Sequence, residues 1–347
     1  GLAIITKGPV SLLIIILCFV VYLIIKKPRI DFLSILIFVI TSFVVSFAWF
    51  GYETITNSPW FIFEFINYQY NLFKKPVAGH SQPFFYHFVV LLIGCFPASI
   101  LAIPVFRKKI ETKFDFTLWM KILFWVVLVL FSIVKTKIVH YSSLCYIPLS
   151  FLAAQYIFNR IKSNEENKIS FKIGYLFIGG IFALVLIAGT YLFANPELII
   201  PYIKDKFAVD SFNNNLGWNG WEWLIGVLFL IFLIISFWFL AKRKWMKFCY
   251  TIALPTGITL LLCAVFILPK VAKFSQGPAV DFYKEKAKED VYITTIGFKS
   301  YAPYFYGKSR PIKENSVINT IKKNYKEELK TAADYNPKEL KTKVNNW

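Results

Sequence analysis

The sequence predicts an all-α polytopic membrane helix bundle with a small α/β domain facing outward at its C-terminal end. Three observations carry that expectation. Hydrophobic residues make up 57% of the 347 and charged residues only 17%, which is too apolar a balance for a water-soluble chain of this length. Eight stretches are apolar on all sides, at or near the roughly 20 helical residues that cross a hydrocarbon core of about 30 Å. None alternates as a barrel strand would, so helices are preferred. The basic residues also fall in alternate loops, which gives the bundle a direction.

The elements follow in order. Residues 1–5 read as the end of a helix whose beginning is absent, without an initiator Met or a signal-peptide pattern, so the sequence reads as a fragment lacking its N-terminal part. Lys7-Gly8-Pro9 then breaks the helix and sets a cation at a membrane edge. The apolar stretches run over residues 10–25, 30–50, 83–106, 116–134, 143–161, 169–193, 223–240 and 249–269. Between the second and third, residues 51–82 are too many for a simple turn. Within them Ser58-Pro59 opens a helix at 58–73, and Phe61, Phe65, Tyr68 and Leu72 share one face of it. An aromatic amphipathic helix lying in the membrane interface is expected.

After residue 271 the composition turns to Lys and Glu. The chain therefore divides into a bundle at 1–271 and an outward domain at 272–347, with a β-type run at 291–296 between polar helical stretches. One strand makes no stable sheet alone, so this end also reads as truncated.

The net charge of +19 raises nucleic acid as a partner, but the distribution of cations excludes it. Fourteen Lys and Arg lie in one set of short loops, around Lys26, Arg107, Arg160 and Lys242, against six in the other, including Lys74, Lys135 and Lys204. The positive-inside rule puts the first set in the cytoplasm, and 51–82, 135–142, 194–222 and the C-terminal domain outside. The five cysteines all fall within apolar stretches and read as packing residues. Trp218, Trp221 and Trp223 read as an interfacial belt.

All three histidines, His80, His87 and His140, lie near the outward edge, together with Lys7, Lys135 and Lys137. Donors gathered at a lipid boundary suit a phosphate, because a low dielectric strengthens the pairing. No apolar stretch carries a charge at its middle; Lys121 and Lys172 sit near inner ends, which disfavours an ion-coupled transporter. Hydrolase, zinc-protease, P-loop and dinucleotide motifs are absent. The acids near the outward boundary are Glu53, Glu64, Glu197 and Glu222.

Three runs in order, Gly1-Leu2-Ala3-Ile4-Ile5-Thr6-Lys7-Gly8-Pro9-Val10, Ala78-Gly79-His80-Ser81-Gln82-Pro83-Phe84-Phe85-Tyr86-His87 and Phe131-Ser132-Ile133-Val134-Lys135-Thr136-Lys137-Ile138-Val139-His140-Tyr141, resemble the bacterial aminoarabinose-transferase-like branch of the protein mannosyltransferase family. The resemblance implies the GT-C architecture in the bacterial inner membrane, with a periplasmic C-terminal domain. It also implies sugar transfer from a polyprenyl-phosphate donor to a lipid A-like or other cell-envelope acceptor on the periplasmic side. By the same resemblance Lys7, Lys137 and Tyr141 match positions near the carrier phosphate, with Lys135 beside them. His80 matches a loop histidine near the active site. No cofactor is fixed by it; a divalent metal is admitted, with His80 as a candidate ligand. Two departures stand out. Asn71-Leu72-Phe73 occurs where the family usually has an Arg before the Phe, and the family's catalytic acid lies upstream of Gly1, so this fragment alone is expected to be inactive. A non-catalytic lipid-phosphate binder, a flippase component and a protein O-mannosyltransferase are the competing expectations.

Overall fold

The computed structural model describes residues 1–74, 82–107, 116–163, 167–204, 206–212, 216–289, 291, 293 and 300–308. Its helices are α1 Leu2–Lys7, α2 Val10–Lys26, α3 Phe32–Asn57, α4 Trp60–Lys74, α5 Tyr86–Gly94, α6 Ala98–Arg107, α7 Phe116–Ile133, α8 Tyr146–Ser163, α9 Ile169–Ala194, α10 Lys206–Phe212, α11 Trp223–Ala241, α12 Trp245–Leu262, α13 Leu268–Lys286 and α14 Ala302–Tyr306. A short 3₁₀ helix at Val139–Cys145 precedes α8, and a π-turn at Cys263–Ile267 joins α12 to α13.

Local chemistry sets the breaks. Gly8 holds φ 73°, a conformation open to glycine, and Pro9 follows, so α1 and α2 are separate. A Cβ on Gly8 would come within 2.9 Å of the Phe65 ring. Lys27 stops α2 in the left-handed conformation, its N–H returning to the Leu23 carbonyl at 2.9 Å, and Pro28 prevents continuation. Asp31 caps α3: Oδ1 accepts from the Leu33 amide at 3.1 Å and Oδ2 from the Ser34 hydroxyl at 2.5 Å. Those bonds hold the Asp31 carboxyl below the usual carboxylate range.

Every stretch that reads as apolar is helical, though not every one is a single long helix. Among the described residues five helices are long and apolar enough to cross a membrane, or six if a bent pair counts as one. Helix α2 has 17 residues, and α8 is diluted by Gln155, Asn159, Arg160 and Lys162. The stretch at 83–106 is that bent pair, α5 and α6, set 114° apart. Pro97 offers no amide hydrogen and disfavours helix at Phe96; the Ser99 hydroxyl donates to the Leu92 carbonyl across the break at 2.7 Å.

The contacts divide the chain into two units, Gly1–Gly189 with Trp223–Leu260, and Thr190–Glu222 with Leu261–Trp347. In the first, Tyr175, Phe229, Phe248 and Leu152 are fully buried. The Tyr175 hydroxyl donates to Ser236 Oγ at 2.6 Å, which in turn donates to the Leu233 carbonyl. Such chained bonds let polar side chains tie helices together in lipid. The outer surface stays apolar: Phe32, Leu33, Leu36 and Phe43 of α3 are exposed, as are Ile173, Phe177 and Leu184 of α9.

In the second unit Phe193, Phe212 and Phe274 form a ring cluster with centroids 4.6–5.5 Å apart. Helix α13 runs through the expected division after residue 271. It continues past Pro269 because the π-turn absorbs the residue that cannot donate, and Pro at the first turn of a helix has no amide bond to lose. Of the β-type run, Val291 and Ile293 are not in a strand and the rest lies outside the described residues. Among the described residues there is no strand, so the α/β character expected of the C-terminal domain finds no support.

Candidate functional site

The candidate site is drawn within the first unit from the end of α1, helix α4, the start of α5 and the segment following α7. Lys7 ends α1, where a cation meets the carbonyl end of the helix. Its side chain is exposed. The adjoining Gly8 lies against Phe65 and Gln69 of α4. Phe61 and Phe65 turn inward onto Phe50 of α3, at 6.4 and 5.6 Å. On the other side Trp60, Phe63, Ile66 and Tyr70 are exposed, and Glu64 and Asn67 form a polar strip between the two faces.

Lys137 is buried, 6% exposed, and its ammonium donates to the Val134 carbonyl at 2.8 Å. That is its one hydrogen bond among the described residues, so two of its three donors remain available. Tyr141 packs on Phe131 at 5.4 Å, and Tyr68 of α4 is its electrostatic neighbour. Burial first, and Tyr68 second, push the Tyr141 phenol above its usual range, so it stays a proton donor at neutral pH. Helix α4 thus touches the Lys7 end through Gly8 and neighbours Tyr141 through Tyr68.

His87 is fully buried on the first turn of α5. Its Nδ1 lies 3.1 Å from Ser142 Oγ, and the Ser142 hydroxyl donates to the Val139 carbonyl at 3.2 Å. With its hydrogen directed to that carbonyl, the serine oxygen is left to accept from the ring when Nδ1 carries the proton. The ring Nε2 is buried without a partner among the described residues. Lys137 interacts electrostatically with the ring. His140 is exposed and meets Tyr141 edge-on at 5.1 Å. Lys135 is exposed, and His80 lies outside the described residues. Among the described residues no group of three or more metal-binding side chains occurs.

Beginning at Phe88, the neighbour of His87 in sequence, a cavity of about 480 Å³ opens between α5, α6, α7 and α8. Leu91, Ile103, Phe124, Leu128 and Leu149 line it, and Arg107 is its one charged residue. The sequence gives no sign of this cavity, because the bend that opens it lies inside a continuous apolar stretch.

No protein-family model matches the chain. It is 28% identical over 202 residues to an uncharacterized protein of Aquifex aeolicus, covering 56% of this chain and 42% of that one. The undecaprenyl phosphate-alpha-4-amino-4-deoxy-L-arabinose arabinosyl transferase of Wigglesworthia glossinidia brevipalpis is 33% identical over 93 residues, 26% of this chain and 16% of that one. The enzyme of the same name from Aeromonas hydrophila is 26% identical over 189 residues, 53% and 34% of the two chains. The chain therefore spans less than half the length of these curated relatives. Among solved structures, ArnT from Cupriavidus metallidurans bound to undecaprenyl phosphate superposes with a TM-score of 0.66 at 17% identity, covering 89% of this chain and 54% of that one. Over about half its length the chain is thus similar in sequence to these arabinosyl transferases, and over most of it the chain shares the fold of the Cupriavidus ArnT structure.

Proposed function

We propose that the chain is the carrier-binding part of a bacterial inner-membrane glycosyltransferase that moves a sugar from a polyprenyl-phosphate donor to a lipid A-like or other envelope acceptor on the periplasmic side. The observation that carries this is the buried Lys137, with two open donors, in the same segment as a proton-donating Tyr141 and interacting electrostatically with His87, whose sequence neighbour Phe88 begins an apolar cavity. A phosphate on a long apolar tail needs that pairing of chemistries: charge at the membrane edge and an oily recess below it. Similarity to the named arabinosyl transferases supports the reading.

In this mechanism Lys137 and Lys7 face the carrier phosphate, and Tyr141 donates a hydrogen bond to one of its oxygens. As the bond from sugar to phosphate breaks, negative charge grows on the departing phosphate, and preset donors stabilise that charge more than they stabilise the ground state. Lys135 adds to the positive field at the same edge. The acceptor hydroxyl loses its proton to a general base, a role none of these cations can fill.

The test is a transfer assay on the full-length gene product with Lys7→Ala and Lys137→Ala. Loss of one preset donor to developing charge is expected to lower kcat about 100-fold or more for Lys137→Ala. A smaller loss is expected for the exposed Lys7. Unchanged rates in both variants would remove the phosphate assignment, and carrier binding without transfer would favour the lipid-phosphate binder.

A further inference from the structure

In the second unit a different polar group stands incomplete. Glu222 is 0% exposed, directly before α11. Its Oε1 accepts from the Lys270 ammonium of α13 and from the Asn219 amide at 3.0 Å. Its Oε2 is buried and has no partner among the described residues. Four residues earlier, the Trp218 indole N–H is equally buried and unpartnered. The Lys270 ammonium lies over the Trp218 ring, 5.2 Å from its centroid, so these side chains form one cluster. Gly217 and Gly220, at φ 75° and 82°, make the turns that fold the segment back. Trp221, next to Glu222, packs edge-on against Phe266 at 5.1 Å yet stays 38% exposed.

We propose that residues 216–222 and Lys270 form a binding site for the hydroxyl groups of a sugar headgroup. One orphan is an acceptor and the other a donor, and a hydroxyl both gives and takes a hydrogen bond. A buried polar group left unmatched is costly, so an occupant that completes both is favoured. A phosphate is the wrong occupant because Oε2 would repel it. A second cation gains little, because Lys270 already balances the carboxylate. The exposed Trp221 offers an apolar ring face beside the hydroxyl pair, the usual complement to the flat face of a pyranose. Burial raises the Glu222 carboxyl, but bonds from Lys270 and Asn219 outweigh that and hold it below the usual carboxylate range, so the open oxygen is an ionised acceptor.

This inference rests on the glycosyl-transfer reading only for expecting a sugar-bearing lipid at this surface. The experiment measures equilibrium binding of the chain in detergent to a lipid with a glucosamine headgroup and to the diacylglycerol of the same acyl chains. The glucosamine lipid is expected to bind at least about tenfold tighter. Trp218→Phe keeps a ring and deletes only the donor, and it is expected to lower that preference about three- to tenfold. Glu222→Gln, checked for an intact melting transition, is expected to abolish it. Equal affinity for the two lipids would overturn the proposal and leave water as the occupant, and so would an undiminished preference in Trp218→Phe. Polyprenyl phosphate binding, measured on the same preparations, separates the two readings: its absence with the sugar preference intact would sink the carrier reading alone.

Discussion

At the scale of single residues, Gly8 resists replacement on two counts. Its φ of 73° is costly for any side chain, and an added Cβ would press on Phe65 at 2.9 Å. Gly8→Ala is expected to destabilise the chain by about 1–3 kcal/mol, read as a lower melting midpoint in detergent. Glu222 gives a pH dependence. Its folded pKa lies below the ordinary value of 4.5, so its contribution to stability is fully present above that value and is lost as pH falls through the folded pKa. The melting midpoint should therefore fall more steeply below about pH 4.5 in the unaltered chain than in Glu222→Gln; parallel slopes would remove the assignment. Residue chemistry was unevenly legible in the sequence. Lys137 and His87 are visible as ionisable groups at a membrane edge, but the Ser142 bond that fixes the His87 ring links residues 55 apart in the chain. Glu222 reads as one outward acid among four, because its partner Lys270 is 48 residues away in the sequence, where no local pattern pairs the two.

At the scale of elements, α4 is the one whose expected character can be tested directly. Pro59 supplies the carbonyl that receives the first helical bonds, from Ile62 and Phe63 at 3.1 and 3.4 Å, so the helix begins at Trp60, one residue later than a Ser58 cap with Pro59 at the first helical position would place it. One aromatic face is used on α3 and Gly8, and the second, Phe63 with Ile66 and Tyr70, is left bare. A helix with this second face is suited to lie on the lipid surface. An environment-sensitive dye on Phe63→Cys is expected to emit at shorter wavelength in liposomes than the same dye on Asn67→Cys, which sits on the polar strip; equal emission would place the helix away from lipid. Two prolines set element boundaries that hydropathy does not show. Pro97 breaks a stretch that hydropathy shows as continuous, whereas Pro269 does not end its helix, because a π-turn next to it takes up the misfit. Periodicity reports which residues are apolar, and it carries no record of either adjustment.

At the scale of the molecule, the membrane class was legible from composition alone, and the grouping of the chain was not. The two units join segments far apart in sequence through contacts such as Phe193 with Phe274, which no local pattern encodes. The bend between α5 and α6 has a consequence for the depth this stretch spans. Helices of 9 and 10 residues are about 13 and 15 Å long. Set 114° apart, they reach only about 16 Å from end to end, and the three residues between them do not bring that to the roughly 30 Å of a hydrocarbon core. The bent pair on its own therefore falls short of the thickness of a hydrocarbon core, and Arg107 at its far end lies closer to the start of α5 than the end of a straight span would.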